Sequence, residues 1–184
     1  KKAEIIIIDD GSTDNTEQVV KDIKSKFKIK YYKFENGGRF LARKRGTEKA
    51  SYEYILFIDT RIYIDRNALK FVIDAQKESE DRVVWTSHVR IDREGNIFAR
   101  FWEAITFIAW RKYFANPRDL SYGIKNFDSY PKGTTCFFVP KKVIHEANEW
   151  FEKNTKNTKI SNDDTLLIRH IAESQNINIS PEYS

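Results

Sequence analysis

Apolar positions along this chain follow two periods, and their alternation sets the expected order of elements. The opening stretch EIIIIDDGSTDNTEQVV begins with an unbroken isoleucine run, Ile5 to Ile8. Such a run needs cover on both faces, the pattern of a central strand in a parallel sheet. Asp14 to Phe27 then carries Val19, Val20, Ile23 and Phe27 at helical spacing, with Thr13 or Asp14 as its cap. Ile29 to Phe34 predicts a short strand. A Gly37-Gly38 turn leads into a second helix over Arg39 to Ala50, and YEYILFIDT predicts another buried strand that ends in Asp59.

Asn67 to Glu78 predicts a third helix. DRVVWTSHVRID and GNIFARF predict a strand pair turning at Glu94-Gly95-Asn96. Phe101 to Phe114 predicts an aromatic-rich helix, and Ala115 to Lys132, which holds Pro117 and Pro131, predicts a loop. GTTCFFVP predicts a strand, KKVIHEANEWF a helix, EKNTKNTKIS a polar connection, NDDTLLIRHIAES a last helix, and Ile177 to Ile179 a closing strand. Strand-helix repetition of this kind predicts an α/β fold with right-handed crossovers.

At 184 residues and 40% hydrophobic, the chain suits one well-packed domain. The lone Cys136 excludes an internal disulfide framework and fits a reducing compartment, which predicts a cytoplasmic protein. The net charge of +5 is spread among 27 acidic residues, so there is no basic arm for nucleic acid. No apolar run approaches a membrane span and the start does not read as a signal peptide. The chain contains no methionine, even at position 1, which predicts a piece of a longer protein.

Asp9 and Asp10 fall at the carboxyl end of the first strand, the edge where ligands bind in open α/β sheets. A dinucleotide fingerprint needs three glycines where only Gly11 stands, and an EF-hand loop needs alternating acids closed by a glutamate. Two readings remain. The carboxylates accept hydrogen bonds from a base or ribose, with Ser12 and Thr13 adding small polar contacts, or Asp10-Gly11-Ser12 is a turn and Asp14 a cap. His88, His145 and His170 lie in separate segments without ligand spacing, and Cys136 sits in an apolar run that predicts a core position.

Taken in order, IIIIDDGSTDNT, NGGRFLARKRG, YILFIDT and SNDDTLL resemble the motif series of family 2 glycosyltransferases, inverting enzymes of the GT-A fold. The resemblance implies a mostly parallel central sheet flanked by helices, with a nucleotide-binding half over 1–65 and an acceptor half over 66–184. It implies a UDP- or GDP-linked sugar donor and a glycan or lipid-linked hydroxyl acceptor. The full-length protein would act in the cytoplasm, at the inner face of a membrane. By the same resemblance Asp9 and Asp10 bind base and ribose with Ser12 beside them. Arg43 contacts the nucleotide or diphosphate, although Lys44 stands where the family commonly has Asn. Asp164 is the base that deprotonates the acceptor and Asp163 its neighbour in the site.

The third motif departs from the family pattern. Where relatives commonly place D-x-D to hold Mg²⁺ or Mn²⁺, this chain has Asp59-Thr60-Arg61. Either Asp59 still holds the cation with water and phosphate oxygens, or Arg61 supports the diphosphate as a permanent planar cation. Reduced metal dependence is the expectation. Two rival functions carry their own signatures: a sugar nucleotidyltransferase would release pyrophosphate, and a non-catalytic nucleotide-sugar binding module would bind donor without turnover. Residues Asp163 and Asp164 also fit simple helix-capping acids, with Ser161 or Asn162 as the cap.

Overall fold

In the computed structural model, which describes residues 3–90, 97–159 and 163–184, the first strand β1 (Glu4–Asp9) pairs in parallel with β2 (Lys28–Lys33) across helix α1 (Thr16–Asp22). Helix α2 (Arg39–Lys49) follows and packs on β1. The chain divides into two compact units, Lys1–Ile55 with Lys141–Leu167, and Leu56–Pro140 with Ile168–Ser184.

Helix α6 (Lys141–Asn154) completes the first unit. Its buried residues Ile144, Ala147, Asn148 and Phe151 recur at the three- and four-residue steps of one helical face. Phe151 meets Phe40 of α2 with ring centroids 4.6 Å apart. The isoleucine strand departs from expectation here. Strand β1 forms a two-stranded sheet with β2, and Ile5 to Ile8 are half-buried or exposed rather than fully covered. The run has the composition of a central strand, but in the described sheet it has a strand partner on one side only.

Strand β3 (Tyr54–Ile58) runs out of the first unit, and helix α3 (Ala68–Glu78) and strand β4 (Val84–Thr86) follow in the second. Next come helices α4 (Ile97–Ala109) and α5 (Arg111–Phe114), strand β5 (Leu120–Tyr122), a 3-10 helix at Ile124–Ser129, and strand β6 (Cys136–Pro140). Helix α7 (Asp163–Ile171) and strand β7 (Ile177–Ile179) end the chain, and the sheet order is β3-β6-β4-β7-β5. Its pairing is mixed, parallel for β4 with β7 and antiparallel for β4 with β6 and for β5 with β7. The core of this unit is aromatic, with Trp85, Tyr113, Tyr122, Phe127, Phe137 and Tyr183 all buried. Cys136 is buried there as expected and lies 3.4 Å from the Tyr183 hydroxyl.

Three expected elements change. Residues Ile97 to Phe101, read as a strand, form the first turns of α4, because Ile97, Phe101, Ile105 and Ile108 continue one helical stripe. The segment 115–132, read as a loop, contains β5, which pairs with β7 far along the chain. Helix α1 is shorter than expected and has Asn15 as N-cap without a side-chain bond, while Asp14 accepts the Thr16 N–H at 3.0 Å. The turn expected at Glu94-Gly95-Asn96 and the caps Ser161 or Asn162 lie outside the described residues. Among the described residues no helix is long and apolar enough to cross a membrane.

Candidate active site

The end of β1 is built around two carboxylates with different tasks. Asp9 is buried; it accepts the Ser12 N–H at 2.7 Å on Oδ1 and the Tyr31 hydroxyl on Oδ2. The Tyr31 bond is the largest influence and, with Ser12, holds the Asp9 carboxyl down at about 2, while Tyr31 is pushed up to about 12. The local turn of the first motif is thus closed by Asp9, three residues before its donor.

Asp10 reaches forward instead. Its Oδ1 accepts the Gly37 N–H at 2.9 Å and its Oδ2 the Gly38 N–H at 2.7 Å, with Arg45 Nη1 at 3.4 Å. Gly38 is the N-cap of α2 and supplies no side-chain cap, and the first turn of that helix has no acidic residue. Asp10 therefore provides, from just past the end of β1, the negative charge that a helix N-terminus favours. The backbone demands glycine at two points: Gly38 has φ 89°, and Gly11 has φ 91° with a Cβ there falling 3.0 Å from Asn36 N.

Helix α2 carries this anchoring to the acidic pair. Arg39 and Arg43 share one face at i, i+4 spacing. Arg43 Nη1 forks between Asp163 Oδ2 at 2.8 Å and Asp164 Oδ1 at 2.5 Å, and Arg39 Nη2 meets Asp163 Oδ1 at 2.8 Å. Asp163 is buried and Asp164 half-buried. The neighbouring cations of this helix are paired as well, Lys44 with Glu152 at 2.7 Å and Arg45 with Asp10 at 3.4 Å.

Residues from three of the four sequence motifs, Asp10, Arg43 and Asp163 with Asp164, thus belong to one bonded framework in the first unit. Asp59 and Arg61 lie in the second unit, after β3. Asp59 donates its N–H to Thr135 O at 2.8 Å and is half-buried, and Arg61 is exposed. Tyr31, Arg39 and Arg45 were not singled out from the sequence as site residues. The i, i+4 spacing of Arg39 with Arg43 was the one available signal, because their carboxylate partner lies 120 residues or more along the chain.

The dependence of Asp9 on Tyr31 has a measurable consequence. A carboxyl depressed in the folded state stabilises the fold above its unfolded pKa and loses that contribution as pH falls toward 2. Tyr31→Phe removes the main donor and is expected to raise the acid-unfolding midpoint, with the loss at pH 7 limited to that of one hydrogen bond. Circular dichroism against pH for both proteins checks this; coincident acid limbs would show that the bond carries no such linkage.

Residues 1–144 match the description of Glycosyl transferase family 2. The chain belongs to that family. The match takes in the first three motifs and ends before Asp163. A poly-beta-1,6-N-acetyl-D-glucosamine synthase of Staphylococcus epidermidis is 35% identical over 98 residues, 53% of this chain and 24% of that protein. The synthase of the same name from Staphylococcus aureus is 32% identical over 101 residues, 54% of this chain and 24% of that protein. An uncharacterized glycosyltransferase of Rickettsia bellii is 35% identical over 92 residues, 50% of this chain and 13% of that protein. The chain thus spans about a quarter or less of the length of these relatives.

Among solved structures, Staphylococcus aureus TarS 1-349 in complex with UDP-GlcNAc matches with a TM-score of 0.65 at 18% identity, over 96% of this chain and 46% of that one. The same protein in complex with UDP matches with a TM-score of 0.67 over 96% and 48%. These matches establish the GT-A fold of the chain, α/β with a central sheet flanked by helices.

Proposed function

We propose that this chain transfers a sugar from a UDP-linked donor to a hydroxyl of a glycan or lipid-linked acceptor, with inversion, at the cytoplasmic face of a membrane. The observation that carries this reading is the direct bonding of Arg43 to Asp163 and Asp164, from a helix whose start is held by Asp10. UDP-N-acetylglucosamine is the donor to test first, because both the named synthases and the TarS complex point to that sugar.

In the proposed reaction the acceptor oxygen attacks the anomeric carbon from the face opposite the leaving group. Its proton passes to the Asp164 carboxylate, and the bond from the anomeric carbon to the diphosphate oxygen breaks to release UDP. Asp9, Asp10 and Ser12 serve the base and ribose; each carboxylate oxygen has more than one lone pair, so the bonds within the chain leave Asp10 able to accept another. Arg43 and Arg39 act as positioning residues that hold the acidic pair in place, and Asp163 is the buried member that receives both.

The side chains after β3 do not fit a two-carboxylate cation site. Asp59 is followed two residues later by a guanidinium, which shifts the local charge by two units against a divalent cation. Among the described residues there is no group of three or more His, Cys, Asp or Glu side chains placed to hold a metal. The proposed role of Arg61 is to support the donor diphosphate directly. Calorimetric titration with UDP is expected to give binding that survives EDTA and that falls by about 10–100-fold in Arg61→Ala, as for loss of a charge-assisted hydrogen bond. A saturable, absolute requirement for Mn²⁺ would overturn the role of Arg61, and failure of the folded chain to bind any nucleoside diphosphate would overturn the donor class.

A further inference from the structure

We propose that helix α4 is an interfacial element that lays its apolar face on an anionic lipid surface. The helix is turned inside out relative to an ordinary surface helix, which hides its apolar stripe and shows its polar one. Its less exposed positions are Ala99, Glu103, Thr106 and, just past its end, Trp110, spaced as one helical face. The opposite arc presents Ile97, Phe98, Phe101, Trp102, Ile105 and Ile108, with Ile97 76%, Phe98 72% and Ile108 69% exposed. At about 100° per residue these six cover roughly 140° of the helix without a polar interruption. No residue of α4 is buried.

Charge complementarity selects the occupant. Arg100 borders the apolar arc, Arg111 and Lys112 follow directly, and all three are exposed, as is Arg118. Of the nearby carboxylates, Glu103 is on the half-buried face and Asp119 is held by the Arg82 guanidinium. An aromatic and aliphatic face edged by cations matches a bilayer interface with anionic headgroups. The 13 residues of α4 span about 20 Å, short of the roughly 30 Å hydrocarbon core, so the helix lies along the surface.

The test is co-sedimentation of the purified chain with vesicles of phosphatidylglycerol and phosphatidylcholine, against pure phosphatidylcholine. Binding to the anionic vesicles is expected, reduced at least about tenfold by Phe101→Ser/Trp102→Ser and by Arg111→Glu/Lys112→Glu. Should the first pair fail to fold, Ile97→Ser/Ile108→Ser tests the same face at two highly exposed positions. UDP binding is expected to persist in these variants, which separates this proposal from the donor-site reading. The proposal is overturned by no sedimentation with either vesicle, by unchanged binding of the serine variants, or by a concentration-dependent dimer of the chain that those variants dissolve.

Discussion

Asp164→Asn is expected to lower kcat by about 10²–10⁴-fold, the contribution typical of a positioned general base. The amide keeps the shape of the side chain and an oxygen for the Arg43 guanidinium, now at 2.5 Å from Asp164 Oδ1, but it cannot take the acceptor's proton. UDP affinity should stay within about twofold, because the expected loss falls on a step after donor binding. The same change at Asp163 should behave differently. That carboxylate is buried and receives both arginines, so Asp163→Asn is expected to destabilise the chain as well as slow it. Steady-state kinetics beside chemical denaturation separate the two. If both variants lost stability alone and kept turnover, the pair would be helix-capping acids and nothing more.

Arg43→Ala is expected to cost about 3–5 kcal/mol of stability, the range for removing one partner of a buried ion pair. The contrast with Arg39 is the sharper part of this expectation. Arg43 is 16% exposed and bridges both acids, whereas Arg39, which meets Asp163, is 64% exposed. Solvent screens an exposed pair, so Arg39→Ala should cost about 1 kcal/mol or less. Arg43→Lys should recover part of the loss, since an ammonium restores charge without the two-pronged geometry. Urea unfolding of the three variants measures these differences directly. Equal costs for Arg39→Ala and Arg43→Ala would mean that burial does not set the strength of this network.

Much of the α/β order was legible because local pattern and final packing agree. In α3 and α6 the buried residues, Ala68, Val72 and Ala75 in one and Ile144, Ala147, Asn148 and Phe151 in the other, recur at the helical steps that the apolar pattern predicts. The Gly-Gly turn gave α2 its start to the residue, because Gly38 must take a positive φ just before the helix. Where long-range pairing decides, pattern was silent. Leu120 to Tyr122 becomes a strand through β7, more than fifty residues later, and nothing within the segment announces that partner. Ile97 to Phe101 misled because a short apolar run fits both periods, and only its continuation through Ile105 and Ile108 shows the helical one.

The site divides the same way. The motif series placed Asp9, Asp10, Arg43, Asp163 and Asp164 in roles before any geometry, and it located the family correctly. What it could not give is how Asp10 and Arg43 relate, since one acts through the backbone of Gly37 and Gly38 and the other through carboxylates at the far end of the sequence. Tyr31 was invisible for a simpler reason: a tyrosine in an apolar strand reads as packing, and its hydroxyl gains meaning only beside Asp9.

The most direct test of the account is the anomeric configuration of the product formed from UDP-N-acetylglucosamine, read by proton NMR for the wild-type chain and for Asp164→Asn. A product of inverted configuration is expected, formed at a rate that collapses in the variant. A product that retains the donor's configuration, or an Asp164→Asn protein that turns over like the wild type, would contradict it.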